Sequence, residues 1–213
     1  MNFILGVKIM ADFKTLMINR RSIRKFIENK KIPQEILDKI ISAAFYAPSA
    51  ANVHGFEIII VTEPTLKNKI RDVCEKGEYS WVFAQPEEVK ESILSLPDYS
   101  FQKEFLSEAP LLLVISTNPN NPSIPYAIES CWLSIAYILL AIEESGLGSL
   151  TYTPSICLTK KRVELNKILD LPKSQHIQTI LPIGYYNERP KPKDFDYSGK
   201  VHINKFEEPI EDE

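Results

Sequence analysis

Arg20-Arg21-Ser22-Ile23-Arg24 places three guanidinium groups and a hydroxyl within five residues. Guanidiniums grip phosphate oxygens in bidentate fashion, so the run could hold a phosphate; the bland alternative is a solvated basic face. If the run is helical, Arg20 and Arg24 stand one turn apart. A second segment, Ala47-Pro48-Ser49-Ala50-Ala51-Asn52, strings small residues after a helix. It could let a flat ligand approach backbone amides, or be a simple turn. The third, Gly146-Leu147-Gly148-Ser149-Leu150-Thr151-Tyr152-Thr153-Pro154, sets two glycines before clustered hydroxyls. Those hydroxyls could reach the edge of a ring, although Thr and Tyr are also good strand formers. The fourth, Leu181-Pro182-Ile183-Gly184-Tyr185, ends a strand at glycine, and Arg189, Lys191 and Lys193 follow. They could close over a phosphate or remain a solvated tail.

Positioning these segments takes alternating helices and strands. Asp12 can cap a helix to about Asn19. Pro33 can open a second at its first position. Its Ile36, Leu37, Ile40, Ile41 and Ala44 share one face. It stops at Ala47-Pro48, where proline forbids continuation. Phe56 to Val61 reads as a strand, and Pro64 restarts helix to about Cys74. Residues 76–100 show weak periodicity and contain Pro86 and Pro97, the pattern of a mobile excursion or lid. Phe101 to Glu108 reads as helix, and Leu111 to Ser116 as a continuous apolar strand buried on both faces. The longest helix, Pro125 to Ser145, is apolar on nearly all sides in its middle and demands burial all round, for which a subunit interface is one cover. Gly148 to Tyr152 reads as a strand, Thr159 caps a helix to Leu169, and Gln178 to Ile183 is the last core strand. The tail from Asn187 reads as extended and placed to reach a partner chain. The order is α+β, and no Gly-x-Gly-x-x-Gly follows the first strand, so the dinucleotide fingerprint is absent.

Length and composition narrow the classes. A chain of 213 residues suits a single domain with a substantial core. Hydrophobic and charged fractions of 44% and 25% are those of a globular protein, not a disordered one. A net charge of −3 gives no global field for nucleic acid. Cys74, Cys131 and Cys157 are odd in number and widely spaced, which fits free thiols in a reducing, cytoplasmic compartment, and no pair has zinc-site spacing. The Met1–Met10 run is too short for a secretory segment, and Cys131 to Ile142 falls short of the roughly 20 apolar residues of a membrane span.

Taken in order from about Asp12 to Lys193, the segments resemble the flavin-binding pattern of the nitroreductase family. Arg20 to Arg24 match its Arg-Arg-Ser-x-Arg start, Ala47 to Asn52 its Ala-Pro-Ser loop, and Ala109 to Ser116 its Ala-Pro-led strand. Pro125 to Gly148 match its long helix ending in Gly-Leu-Gly, and Ile183 to Tyr185 its Ile-Gly-Tyr. The resemblance implies a nitroreductase-like fold, with a central mixed sheet flanked by helices, a buried interface helix and a C-terminal extension onto the partner of a homodimer. It also implies one FMN per subunit at the dimer interface. Arg20, Arg21, Ser22 and Arg24 would hold the phosphate and ribityl chain. Ser49 and Ala50 would contact the cofactor from the partner, and Thr151, Tyr152 and Thr153 would lie at its edge. Lys193 would serve the phosphate, with Lys191 and Arg189 competing. His54-Gly55-Phe56 stands where the family usually has Pro-Trp.

Thr151-Tyr152-Thr153-Pro154 further resembles the threonine run of the iodotyrosine deiodinase branch, in which a threonine hydroxyl meets flavin N5; Thr153 matches it. Glu75-Lys76-Gly77-Glu78-Tyr79 and Lys103-Glu104-Phe105-Leu106 resemble that branch's lid motifs. By that likeness Glu75, Tyr79 and Lys103 would hold the zwitterionic end of a tyrosine-like substrate, and Ala51 would offer its amide to the phenolate. The expected function is reduction of a small aromatic acceptor driven by NADH or NADPH, with reductive dehalogenation of a halotyrosine as the finer reading. The alternatives are a general nitroaromatic or quinone reductase, a flavin-binding sensor or storage protein without turnover, and a plain interaction domain.

Overall fold

The run Leu111–Thr117 is buried along its whole length. It is the second strand of the computed structural model, which describes residues 12–28, 30–96, 99–153, 158–192 and 199–206. The elements, in chain order, are α1 (Phe13–Asn19), α2 (Gln34–Tyr46), β1 (Phe56–Val61), α3 (Pro64–Phe83), α4 (Glu87–Leu94), α5 (Phe105–Glu108), β2 (Leu111–Thr117), α6 (Ala127–Glu144), β3 (Gly148–Ser149), α7 (Thr159–Ile168) and β4 (His176–Gly184). The sheet has the order β1-β2-β4-β3 and is antiparallel at every pairing. Among the described residues the mixed character expected of it is confined to a single parallel bridge, Ser22 to Ser149.

Because side chains alternate across a strand, β2 feeds two cores. Leu111, Leu113 and Ile115 pack with Ile40 and Ala44 of α2 and Cys131, Ile135, Ile138 and Ile142 of α6. Leu112 and Val114 pack on the other face with Ile70 and Val73 of α3, Leu106 of α5 and Leu165 of α7. Each fully buried Leu or Ile contributes about 1.5–3 kcal/mol. The result is three layers, α2 and α6 on one face of the sheet and α3, α5 and α7 on the other.

Several boundaries depart from the expectation. Helix α3 does not stop at Cys74: Cys74, Gly77, Glu78 and Val82 extend its buried stripe by another two turns. Pro86 then caps α4, with Glu87 and Glu88 in its first turn, so residues expected to be an irregular excursion are largely helical. Pro33 and Leu158 take the N-cap positions of α2 and α7, and only Phe105–Glu108 of the 101–108 stretch is helical. Helix α6 is not buried all round within one chain. Its Cys131, Ile135, Ile138 and Ile142 face the core, whereas Ile128, Trp132, Leu133 and Tyr137 are exposed. Helix α1 buries none of its residues and exposes Phe13, Met17 and Ile18. Among the described residues no helix is long and apolar enough to cross a membrane.

The glycines of the two family-like motifs serve packing. Gly146, at φ +71°, ends α6 with the paired Gly146 N–H to Glu143 O and Leu147 N–H to Ile142 O bonds of a Schellman turn. Gly148 lies so close to the 20–24 run that a Cβ there would meet Ile23 Cγ1 at 2.6 Å and Tyr186 Cδ1 at 2.7 Å. At Gly184 a Cβ would meet Pro110 Cδ at 2.6 Å and Phe26 Cδ1 at 3.0 Å. Both glycines therefore let the basic segment lie against the sheet edge. Gly148→Ala should force Ile23 outward at a cost of about 1–3 kcal/mol. Thermal or urea unfolding of the variant measures the loss, and unchanged stability would show that the 20–27 segment is not held there.

Candidate functional site

The basic segment is extended, not helical. Arg20 leaves α1 with extended dihedrals, Ile23 N–H donates to Ser149 O at 3.0 Å, and Ile27 N–H donates to Tyr185 O at 2.8 Å. The helical spacing considered for Arg20 and Arg24 thus does not occur, because a strand edge claims the backbone. Arg20, Arg21 and Ser22 are half-buried and Arg24 is exposed. Arg21 Nε is buried and has no hydrogen-bond partner among the described residues. A buried N–H without an acceptor is costly, and an anionic group such as a phosphate would relieve it. Of the tail's cations, Arg189 is committed elsewhere: it pairs with Glu143 Oε1 at 2.7 Å and donates to Tyr186 Oη from Nε at 2.9 Å. Lys191 is exposed, and Lys193 lies outside the described residues.

The loop between α2 and β1 holds Ala51, Asn52 and His54 at φ of +51°, +56° and +48°. Left-handed backbone in non-glycine residues is strained and persists where surrounding bonds enforce it. Here Ser49 Oγ accepts from His54 N–H at 3.2 Å, and Ser130 Oγ of α6 accepts from Ala50 N–H at 3.1 Å. His54 Nε2 meets Asn52 Oδ1 at 3.1 Å. Gly55 lets Ile124 approach, since a Cβ would lie 2.2 Å from Ile124 Cγ2. The strained turn leaves Ala51 exposed at its apex.

On the other face of the sheet a buried polar cluster joins α3 to the segment before α5. Glu78 and Lys103 are 4% and 6% exposed. Lys103 Nζ lies 3.5 Å from Glu78 Oε1, which also accepts from Tyr99 Oη at 3.1 Å. Glu78 Oε2 accepts from Tyr152 Oη at 3.0 Å. Lys103 also donates to Ser100 O. Burial lowers the Lys103 pKa from the usual lysine range; Glu78 opposes that shift and Arg24 adds to it, which places Arg24 within electrostatic reach of the cluster. Burial likewise pushes the Tyr99 phenol up, with Glu78 reinforcing it.

The expected residues fall as follows. Glu75 and Lys103 do meet, but through the Lys103 backbone N–H, which donates to Glu75 Oε1 at 2.8 Å. The carboxylate facing the ammonium is Glu78. Tyr79 is exposed and stacks on Phe83 with centroids 4.4 Å apart. Thr151 is exposed and Thr153 half-buried, while Tyr152 is buried with its hydroxyl on α3. Glu78 and Tyr99 were not singled out from the sequence. The available signal was that Glu78 stands four residues from both Cys74 and Val82, an acid on the apolar stripe of a helix.

Removing one member of a buried pair leaves an uncompensated charge and costs about 3–5 kcal/mol. Glu78→Leu should therefore destabilise the protein by that order, and Glu78→Leu combined with Lys103→Met should recover most of the loss. Chemical denaturation of both variants checks this, and equal losses would contradict the pairing.

Comparison with known proteins places this geometry. The nitroreductase family model matches residues 17–185. The iodotyrosine deiodinase of Thermotoga neapolitana is 37% identical over 187 residues, covering 88% of this chain and 93% of that protein. Human iodotyrosine deiodinase 1 is 30% identical over 84% of this chain, which spans 63% of the human protein. Among solved structures, oxidised iodotyrosine deiodinase bound to FMN and 3-iodo-L-tyrosine superposes with a TM-score of 0.78 at 33% identity, covering 90% of this chain and 98% of that one. An FMN-dependent nitroreductase from Clostridium difficile R20291 gives 0.70 at 27% identity, covering 90% of this chain and 98% of its own. The strained Ala-Pro-Ser loop, the edge-bound arginine segment and the glycines that admit it all fall within the matched residues, and the chain belongs to the nitroreductase family.

Proposed function

We propose that the protein is an FMN-dependent oxidoreductase that reductively dehalogenates a halogenated tyrosine and works as a homodimer. The observation that carries the substrate is the Glu78–Lys103 pair. One buried carboxylate and one buried ammonium are the complement of an amino acid's zwitterionic end. The relatives named iodotyrosine deiodinases support the same reading.

Arg20, Arg21, Ser22 and Arg24 would hold the FMN phosphate and ribityl chain, with Arg21 Nε gaining the partner it lacks among the described residues, and Lys193 would serve the phosphate from the tail. Thr151 and Thr153 would line the edge of the flavin ring. FMN supplies the electrons when bound, and the protein orients the reaction. Ala51 offers its backbone amide to the phenolate, and Ser49 and Ala50 support that turn. Lys103 takes the substrate carboxylate and Glu78 the ammonium. Glu75 fixes the Lys103 backbone, and Tyr79 covers the ring. The net change replaces carbon–halogen by carbon–hydrogen, consuming two electrons and a proton and releasing halide. NADH or NADPH is the proposed electron source, and the cysteine usage fits the cytoplasm.

The layers support the homodimer. The Ala51 turn is anchored to α6 on one face of the sheet, whereas Glu78 and Lys103 belong to the α3 face. One chain does not bring them together, and the uncovered apolar face of α1 and α6 supplies the contact for a second copy. Leu133, exposed on α6, gives a clean test. Leu133→Glu should yield a folded monomer that has lost FMN, read by light scattering and absorbance. A flavin-loaded monomer would overturn the two-chain site.

The second reading, a general nitroaromatic or quinone reductase, draws on the likeness to the Clostridium difficile nitroreductase. Affinities separate the two. The released chromophore should be FMN, and flavin fluorescence quenching should show iodotyrosine bound at least about tenfold tighter than the matching iodophenol, or about 1.4 kcal/mol. Recovery of FAD alone would sink the cofactor assignment, and equal affinities would favour the general reductase.

A further inference from the structure

We propose that a cavity at the start of α3, apart from the polar cluster around Lys103, is a second ligand site that takes the zwitterionic end of a free amino acid. The inference does not rest on the substrate proposed above.

The cavity has a volume of about 580 Å³ and lies between the end of β1, the first turns of α3 and the end of α5. That volume is in the range of sites for small molecules. Its charged lining is Glu28, Lys31, Lys67 and Glu108, two acids and two bases with no net charge. Lys67 stands eleven residues before Glu78 on α3, or about 16 Å along the helix axis. The cavity is therefore distinct from the Glu78–Lys103 cluster.

Lys67 supplies the wall that a carboxylate fits. The residue is 6% exposed. Its Nζ donates to Ser107 O at 3.0 Å and to Ala109 O at 2.6 Å, at the end of α5. An ammonium has three protons, and among the described residues the third has no acceptor. Burial lowers the Lys67 pKa, and no carboxylate opposes the shift, in contrast to Lys103. A buried charge without a counter-ion is costly.

Glu108 supplies the wall that an ammonium fits. Burial raises its pKa, and Glu28 and Glu104 raise it further. Among the described residues neither Glu108 nor Glu28 is in an ion pair. Lys67 Nζ bonds the carbonyls on either side of Glu108, so the two walls are neighbours that do not pair. A simple anion would meet Glu108 and Glu28, and a metal cation would meet Lys67 and Lys31. A molecule with a carboxylate for Lys67 and an ammonium for Glu108 gives each buried charge its counter-ion. The exposed Lys31 and Glu28 repeat the same two signs.

The test uses the FMN-loaded protein. Each non-aromatic amino acid is screened at millimolar concentration by thermal unfolding, because a ligand of the native state raises stability. Those that bind are titrated by calorimetry. At least one should bind, and its analogues lacking the α-amino group or the carboxylate should bind at least about tenfold more weakly. Lys67→Met and Glu108→Gln should each weaken binding by about tenfold or more. Glu108→Gln removes only one charge from a half-buried side chain, so it decides the matter even if Lys67→Met does not fold. The double variant Glu78→Leu with Lys103→Met should bind the amino acid as wild type does. Failure of every amino acid to bind, an analogue with one charge that binds as well, or wild-type affinity in Glu108→Gln would overturn the proposal. So would loss of binding in the double variant, which would place the ligand at the other cluster. A failure of iodotyrosine to bind would count against the substrate reading and leave this result standing.

Discussion

A strand whose side chains are apolar on both faces can be stable only with a layer of helices against each face. That constraint, imposed by Leu111–Thr117, organises this protein. It separates α2 and α6 from α3, α5 and α7 by the thickness of a sheet. The strained turn at Ala51 and the buried pair at Glu78 and Lys103 then belong to different faces. The exposed apolar residues of α1 and α6 are the other side of the same geometry: a small chain with two cores has too few helices to cover every apolar stripe it creates.

The buried pair needs its own explanation. Two charges at 4% and 6% exposure lose most of their hydration, and a pair of well-packed apolar residues would often be as stable or more so. The carboxylate is given a full set of partners, with Tyr152 on one oxygen and Tyr99 and Lys103 on the other. A fully satisfied polar cluster of this kind has a definite geometry. Its ammonium is held in part by a carbonyl and in part by a carboxylate oxygen at 3.5 Å, an arrangement that can be exchanged for a ligand. Stability alone does not account for such an arrangement.

The glycine motifs illustrate how a pattern and its physical cause can differ. By sequence, Gly-Leu-Gly reads as bringing donors to a ring edge and Ile-Gly-Tyr as closing over a phosphate. In the fold, Gly148 and Gly184 instead make room for Ile23 and Phe26, and Gly146 closes a helix. They serve the basic segment by letting it lie flat on the sheet edge, where Ile23 and Ile27 find backbone acceptors. The arginines are thereby presented from an extended chain.

The sequence by itself determined the elements whose signal is local. Continuous apolarity marked Leu111–Ser116, a helical period marked α2, proline ended it at Ala47-Pro48, and the strand Phe56–Val61 was legible to the residue. The order of weak motifs was enough to indicate the family. Tertiary structure decided what depends on contacts between distant segments. It carried α3 past Cys74, because the buried stripe through Glu78 and Val82 has partners only once α5 and Tyr152 are packed beside it. It turned the 20–24 run from a possible helix into an edge, because Ser149 O is there to accept from Ile23. It also chose Glu78 over Glu75 to face Lys103. Both carboxylates lie within one helical turn, and only the direction in which α3 presents its faces to the sheet separates the one that meets the ammonium from the one that meets the amide.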